Sequence, residues 1–278
     1  MAIKIVTDST CDISSAEAEA LGIHILPLRV RFGEKEYFDG VTLSSQEFYE
    51  KLSACEELPQ TSQIPPEEFS NFFARETVDG DEVIGIFISS ELSGTSQSAR
   101  IGADDMPGVY LVDSLHVTFA LGALVRIAVA LRDQGKTASD IVEEIENVKH
   151  RLVLSAVVED ISYLVKGGRL STAGGALVSA LNIKPLIGSK EGKIVSTGVA
   201  RGMKKGYQTI IQRMHRDVID PDYPIIFGHT NYPQGAQALR EFALKFGFEV
   251  SDIPLQLIGC VVGTHAGPGA AGVVYVKK

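Results

Sequence analysis

Tryptophan is absent from the 278 residues of this sequence, and cysteine and histidine are scarce, with three and six residues. The cysteines (Cys11, Cys55 and Cys260) lie far apart without a CxxC pair, a pattern typical of reduced thiols in the cytoplasm. The histidines show no HxH or HExxH spacing, so no metal site is predicted. Because the chain starts with a strand-like run and not with a charged and then apolar leader, no secretory signal is expected.

Several common signatures are also missing. The sequence has no GxxxxGKS or GxxxxGKT phosphate loop and no GxSxG nucleophile elbow, and no GxGxxG follows the first predicted strand. Their absence argues against a P-loop nucleotide site, a hydrolase elbow and a dinucleotide site. The longest apolar segment, 115–131, contains His116 and Arg126 and is too short to span a bilayer comfortably, which favours a buried core helix.

Acidic residues outnumber basic ones, and the formal net charge is −9. A chain this acidic is a poor candidate for a nucleic-acid binder, which needs a basic face. The excess is uneven, because residues 1–150 carry 11 basic and 26 acidic side chains whereas residues 151–278 carry 15 and 9. Eight basic residues and the single acid Glu191 fall within 166–205. This stretch is either a solvated basic face or a surface for an anion or an acidic partner.

The order of apolar and amphipathic segments predicts an α/β fold. Continuous runs rich in Val and Ile are typical of parallel strands buried on both faces, and they occur at 3–6, 82–88 and 109–112. The predicted helices between and after them lie at 15–21, 66–75, 94–102, 117–134 and 139–151. We therefore expect residues 1–150 to form a domain with a parallel sheet and helices on both faces, with ligands at the carboxyl ends of the strands.

Residues 151–278 are predicted to form a smaller α+β domain. Its strands are predicted at 152–158, on both sides of a turn within 183–201, and at 225–229, 255–262 and 272–276. Its helices are predicted at 161–166, 203–216 and 234–246. The boundary near 150 does not exclude further crossings of the chain between the two domains.

Two segments of the first half carry clustered hydroxyl groups. Thr61-Ser62 precedes a helix that opens with two prolines, and these hydroxyls either cap the helix or bind an anion. Ser93-Gly94-Thr95 lies in a turn between a buried strand and a helix, where backbone N–H groups and hydroxyls form an anion site. Because this turn contains no Lys or Arg, it suits a carboxylate better than a triphosphate.

Two segments of the second half carry cationic or titratable side chains on glycine-rich backbone. Arg169 follows two glycines that are compatible with a helix C-cap, although a C-cap does not require the arginine. His265 is predicted to lie in a loop within 263–272, which holds four glycines and one proline. A lone histidine in a loop is often structural, but this backbone suits close approach of a ligand.

Five motifs together resemble those of the DegV family in order and spacing, and the resemblance covers nearly the whole chain. The motifs are Thr7-Asp8-Ser9, Thr61-Ser62-Gln63, Ser93-Gly94-Thr95, Tyr163-Leu164-x-Lys166-Gly167-Gly168-Arg169 and Gly263-Thr264-His265-x-Gly267-Pro268-Gly269. Each motif alone is weak, whereas all five at these spacings are specific.

The resemblance implies a two-domain α/β protein that holds one long-chain fatty acid in a buried tunnel, with no metal and no cofactor besides this ligand. The threonine and serine that hold the carboxylate in the family fall on Thr61 and Ser93. Their neighbours Ser62, Gly94 and Thr95 are included in the predicted carboxylate site. The apolar helix 117–131 and the Ala-, Gly- and Leu-rich stretch 173–183 are candidate tunnel walls, or else ordinary core packing.

The resemblance also implies partners. In the family a basic and histidine network lies beside the carboxylate, and its positions fall on Arg169, Arg201 and His265. A partner fatty acid kinase phosphorylates the bound carboxylate, and an acyltransferase uses the acyl phosphate for phospholipid synthesis. The chain itself is therefore expected to be a non-catalytic carrier.

Other functions remain open from the residues themselves. Ser93 and His265 are compatible with a serine hydrolase of acyl esters, although neither the nucleophile nor an oxyanion site is signalled. A carrier of another small lipid or carboxylate is a further alternative. The basic stretch 166–205 suits docking of the kinase or transient contact with an anionic membrane surface.

Overall fold

The computed structural model describes residues 2–170 and 182–278. A four-stranded parallel sheet forms the centre of the first half. In this sheet β1 (Ile3–Asp8) lies between β2 (Ile23–Leu26) and β6 (Glu82–Phe87), and β7 (Val109–Asp113) pairs with β6. The predicted parallel sheet is confirmed, and each predicted strand lies within one or two residues of the observed one.

Alternate residues of these strands pack into two different apolar clusters. Ile5 and Ile84 join the cluster that contains α5 (Phe119–Asp133) and α6 (Ala138–Arg151). Val6 and Val83 join the opposite cluster, which is built largely from α2 (Ser45–Ala54), α3 (Pro66–Glu76) and α4 (Thr95–Gly102). Helices therefore cover both faces of the sheet, as predicted from strands that lack a polar face.

A small antiparallel sheet in the first half is not predicted by the sequence. It contains β3 (Arg29–Phe32), with β4 (Lys35–Phe38) on one side and β5 (Gln60–Ser62) on the other. β5 is a strand of three polar residues, so it gives no apolar pattern. Thr61 lies in this strand, opposite Val30. The N-cap of α3 is Pro65, without a side-chain cap, so the helix-cap interpretation of Thr61 is wrong.

The second half is built around a six-stranded mixed sheet with the strand order β10-β9-β8-β13-β11-β12. The strands are β8 (Leu152–Val157), β9 (Ile183–Lys190), β10 (Lys193–Arg201), β11 (Ile226–His229), β12 (Gln256–Leu257) and β13 (Ala271–Val276). Their pairs are antiparallel except for β11 with β12. The helices α8 (Met203–Arg216) and α9 (Pro233–Lys245) pack against this sheet. The predicted α+β character is confirmed, while the division at residue 150 stays a prediction.

The apolar helix α5 joins the two large sheets into one core. It contacts β1 and β6 of the first sheet and β8, β11 and β13 of the second. Ten of its residues are buried, from Phe119 to Val129, which confirms the prediction of a core helix. No helix among the described residues is long and apolar enough to cross a membrane.

The remaining helices are short: α1 (Ser15–Leu21), α7 (Ser162–Lys166) and α10 (Cys260–Ala266). The strand predicted at 255–262 is confirmed only at β12 and is wrong beyond it, because β12 ends at Leu257 and α10 begins at Cys260. The cause is tertiary: buried carboxylates of the first half accept hydrogen bonds from the amides at the start of α10. The apolar run in the sequence does not show these distant partners. His265 consequently lies in the last turn of a helix and not in the predicted loop.

Replacing Leu124 by alanine tests the position of α5 between the sheets. Leu124 has no exposed surface, so Leu124→Ala removes buried methyl groups and leaves a cavity, which costs about 2–5 kcal/mol in the free energy of unfolding. Urea denaturation measures this difference. Leu244→Ala is the control, because Leu244 is a helix residue that is 51% exposed, and its expected change is about 0.5 kcal/mol or less. Equal effects would contradict the assigned core.

Candidate functional site

A cavity of about 300 Å³ lies where the small sheet, the turn after β6 and α10 meet. Its lining combines apolar side chains with a few hydroxyl, amide and titratable groups. The residues are Leu28, Thr61, Ser62, Gln63, Ile88, Leu92, Ser93, Gly94, Val117, Leu164, Arg169, Ile194, Val261, Val262, His265 and Ala266.

A narrower apolar space of about 60 Å³ adjoins this cavity and extends towards the six-stranded sheet. The two spaces share five lining residues: Val117, Leu164, Ile194, Val262 and Ala266. The narrower space is lined mainly by apolar residues of the second half, among them Leu154, Ile187 and Ile258, together with Phe119. Polar side chains thus line one end of the two joined spaces, and apolar side chains line the other end. This arrangement suits an amphipathic ligand.

Thr61 and His265 are in direct contact at the polar end. The Thr61 Oγ1 and His265 Nε2 atoms lie 2.9 Å apart, although the residues are 204 positions apart in the chain. Gly167 permits this arrangement, because a Cβ there would overlap the imidazole of His265. With the proton on Nε2, His265 donates to Thr61 and leaves the Thr61 hydroxyl hydrogen free for an anionic oxygen.

His265 is held in its neutral form by its surroundings. Burial, and then the positive charge of Arg169, lower the pKa of His265 from 6.5 to about 4. Its Nδ1 is buried and has no hydrogen-bond partner among the described residues. A neutral imidazole beside Thr61 supplies a dipole and a proton donor at neutral pH, without placing a second positive charge in the cavity.

The turn after β6 supplies the second hydroxyl group of the polar end. Ser93 Oγ lies 3.0 Å from Thr95 Oγ1 and accepts a hydrogen bond from the Thr95 amide at 3.3 Å. Gly94 allows the close approach of Gln63, whose side chain would overlap a Cβ at that position. Gln63 in turn donates to Ser98 Oγ at 2.7 Å. The bonds to Thr95 fix the Ser93 hydroxyl in the turn that lines the cavity.

An open cleft of about 380 Å³ lies on the other side of Thr61 and His265. Thr61, Arg169 and His265 line both the cavity and the cleft, so they form the wall between them. Arg169 is exposed and donates to the Gly167 carbonyl at 2.7 Å and to the Leu92 carbonyl at 3.3 Å. Together with Lys166, it makes the cleft cationic.

The structure brings together six of the eight predicted site residues. Thr61, Ser62, Ser93, Gly94, Arg169 and His265 line the cavity. Thr95 is fully buried at the start of α4 and contributes through its bond to Ser93. Arg201 is exposed at the end of β10 and is not among the described residues that line the cavity, so the structure does not join it to the site.

The predicted walls are only partly observed. Of the stretch 117–131, the residues before and at the start of α5 line the two spaces, while the rest of the helix packs into the core. Residues 173–181 lie outside the described residues. Leu28, Leu92 and Ile194 line the cavity without any signal in the sequence, because an apolar side chain at a ligand looks like one in the core. No group of three or more metal-ligating side chains occurs among the residues that the structure describes.

The sequence matches, over residues 2–278, the family model described as an uncharacterised protein of the DegV family. The chain belongs to the DegV family. A DegV domain-containing protein of Clostridium perfringens is 32% identical over 278 residues, covering 99% of each chain. Another from Deinococcus radiodurans is 36% identical over 98% of each chain. The family predicted from the five motifs is confirmed.

Solved structures of DegV proteins share the whole fold. A DegV family protein from Thermus thermophilus, described by its fatty acid binding, is 30% identical and superposes with a TM-score of 0.91 over 100% of both chains. DegV of Bacillus subtilis, described as a fatty acid binding protein, is 30% identical, with a TM-score of 0.83 and the same coverage. The α/β architecture therefore belongs to the family.

The depressed pKa of His265 predicts a specific pH dependence of stability. The unfolded chain takes up a proton at this histidine near pH 6.5, whereas the folded chain does so near pH 4. Its contribution to the free energy of unfolding therefore rises with pH across this window, by up to about 3 kcal/mol. In His265→Gln this rise is lost, and the difference is measured by urea denaturation at pH 4, 5, 6 and 7.

The control is His150→Gln, which removes an exposed histidine at the end of α6. Curves for the wild type and His265→Gln that run parallel between pH 4 and 7 would contradict the assigned burial of His265. The other titrating groups are the same in the wild type and in His265→Gln, so their contributions cancel in the difference between the two free energies of unfolding.

Proposed function

We propose that this DegV chain binds one long-chain fatty acid, with its carboxylate at Thr61 and Ser93 and its alkyl chain in the apolar cavity. The observation that carries the proposal is the polarity of the cavity, with hydroxyls at one end and only apolar surface at the other. The fatty acid binding described for the Thermus and Bacillus relatives supports it.

The energetics of such a ligand agree with this arrangement. Burial of the alkyl chain contributes about 0.8 kcal/mol for each CH₂ group and supplies most of the affinity. A carboxylate inside the protein must be hydrogen-bonded or it takes up a proton. The hydroxyls of Thr61 and Ser93 line the cavity and can donate such bonds, and Ser62, Gly94 and Thr95 belong to the same two segments.

We further propose that the bound carboxylate is presented through the cationic cleft to a partner fatty acid kinase. A carboxylate oxygen would attack the terminal phosphorus of a nucleoside triphosphate held by the kinase, giving an acyl phosphate and releasing the diphosphate. Arg169 and Lys166, which line the cleft, would stabilise the charge of the phosphoryl group. Arg201 and the other basic residues of 166–205 would contact the kinase or an anionic membrane surface.

In this proposal the chain is a carrier in the cytoplasm and needs no cofactor. An acyltransferase of phospholipid synthesis would consume the acyl phosphate. The hydrolase alternative is weakened by the geometry of its two candidate residues. Ser93 Oγ is hydrogen-bonded to Thr95, and His265 Nε2 contacts Thr61, so His265 Nε2 is not placed as the base for Ser93.

The two hydroxyl groups are tested by Thr61→Ala and Ser93→Ala. Each variant removes one hydrogen bond to the carboxylate, which is expected to weaken binding about tenfold or more, because bonds to charged groups contribute about 1.5–3 kcal/mol. Arg169→Ala and His265→Ala are expected to retain binding and to impair phosphorylation by the kinase. Equal loss of binding in all four would contradict this division of roles.

Native mass spectrometry of the purified protein measures the cargo directly. We expect one fatty acid of defined length per chain in the wild type and less of it in Thr61→Ala and Ser93→Ala. Gln237→Ala, on the exposed surface of α9, is the control and is expected to carry as much lipid as the wild type. A protein that carries no lipid and binds none of the fatty acids offered would contradict the proposed function.

A further inference from the structure

The motif Thr7-Asp8-Ser9 is not explained by ligand contact, because none of its residues lines the cavity. It belongs instead to a buried acidic cluster that we define as Asp8, Asp12 and Asp39. Asp8 is fully buried and Asp39 is 4% exposed. No member of the cluster forms an ion pair within 4 Å among the described residues. Unpaired buried carboxylates are costly, so their hydrogen-bond partners matter.

Most of these partners are backbone amides, and those of Asp12 and Asp39 belong to one short helix. Asp39 Oδ1 accepts from the Cys260 amide at 3.0 Å, and Asp39 Oδ2 accepts from the Val261 amide at 3.3 Å. Asp12 Oδ1 accepts from the Gly259 amide at 2.8 Å. The N-cap of α10 is glycine and has no side-chain cap of its own. The start of α10 is therefore held by two carboxylates from the opposite end of the chain.

The other end of α10 reaches the candidate site. Its last turn carries His265, which contacts Thr61, and its side chains Val261, Val262 and Ala266 line the cavity. Thr61 lies in β5 of the small sheet, and β4 belongs to the same sheet. Asp39 directly follows β4. One end of the helix is thus attached beside this sheet through Asp39, and its other end contacts the sheet through Thr61.

Ser9 links the motif to this helix. Its hydroxyl donates to Asp39 Oδ2 at 3.1 Å and accepts from the Leu28 amide at 3.1 Å. Leu28 itself lines the cavity. Asp8 accepts, through its Oδ2, from the amide of Ile88 at 2.8 Å, and Ile88 lines the cavity just before the Ser93 turn. The motif therefore binds the backbone of two cavity-lining residues, Leu28 and Ile88, although it does not line the cavity itself.

We infer that Asp39, supported by Ser9 and Asp12, is a positioning residue that holds α10 so that His265 stays hydrogen-bonded to Thr61. Its effect on ligand binding rests on the proposed function, whereas its effect on His265 does not. Because the carboxylate accepts three hydrogen bonds, Asp39→Asn removes an acceptor while it keeps the size of the side chain. The NH2 group of asparagine cannot accept a hydrogen bond, so either the Cys260 or the Val261 amide loses its acceptor and α10 loses part of its attachment.

Asp39→Asn is expected to fold. Burial raises the pKa of Asp39, which means that the ionised carboxylate carries a desolvation cost that a neutral amide avoids. The matched control is Asp217→Asn. Asp217 accepts from the Tyr275 hydroxyl at 2.6 Å in the second half of the protein and has no hydrogen bond to α10 among the described residues.

The test follows the imidazole of His265 by NMR in protein with ¹⁵N-labelled histidine, with the His265→Gln variant to assign its signals. The wild type is expected to keep His265 neutral down to about pH 4. In Asp39→Asn the imidazole is expected to become protonated at a pH at least one unit higher, with altered Nε2 shifts. Asp217→Asn is expected to titrate like the wild type. A folded Asp39→Asn protein with wild-type His265 signals would overturn the inference.

Binding of palmitic acid, measured by calorimetry on delipidated protein, gives the second readout. We expect about tenfold weaker binding in Asp39→Asn, because Val261, Val262 and Ala266 of the displaced α10 line the cavity, and wild-type affinity in Asp217→Asn. If the wild type bound no palmitate but the NMR difference were present, the proposed ligand would fail while the positioning role stood.

If Asp39→Asn does not fold, Ser9→Ala decides the question. It removes only the hydroxyl that supports Asp39 and Leu28, so a smaller shift in the same direction is expected. Unchanged His265 signals in Ser9→Ala would then overturn the inference.

Discussion

The hydrogen bond between Thr61 and His265 is the contact on which the site depends. It joins a three-residue strand of the small sheet to the last turn of α10, across 204 positions of sequence. Gly167 leaves room for the imidazole, and the carboxylates of Asp12 and Asp39 accept hydrogen bonds at the other end of the helix. Thr61 and His265, together with Arg169, thereby separate the cavity from the cationic cleft.

The uneven charge of the chain is reflected in the site, where the cavity is rich in hydroxyl groups and the neighbouring cleft carries two basic residues. The polar end of the cavity offers hydroxyls and a neutral histidine, and the one cation among the described residues that line it, Arg169, is exposed and also lines the cleft. Such an interior can hold one negative charge by hydrogen bonds. The positive charges of Lys166 and Arg169 lie at the cleft, where the phosphoryl group would bind in the proposed phosphorylation. Lys166 and Arg169, two of the eight basic residues within 166–205, line that cleft.

The sequence predicts the parts of the molecule whose pattern is local. The buried strands β1, β6 and β7 are continuous Val and Ile runs, and α8 was predicted with its observed ends, 203–216. β5 and α10 were not predicted, because a polar strand of three residues has no periodicity and α10 is started by carboxylates more than 220 positions away. Thr61, Ser93 and His265 stand out in hydroxyl-rich or glycine-rich segments, and the family motifs give them their roles. Leu28 and Ile194 have no signal that distinguishes a cavity wall from a core.

The central claim is that the polar end of the cavity holds a carboxylate, with the hydroxyls as its donors. Carbon-13 NMR of palmitic acid labelled at the carboxyl carbon tests it most directly, by titration of the bound signal from pH 4 to 8. The account predicts one bound signal that differs from free palmitate, stays ionised at neutral pH and shifts in Thr61→Ala. A bound carboxyl that titrates like one in water and is unchanged in that variant would place the headgroup elsewhere and contradict the account.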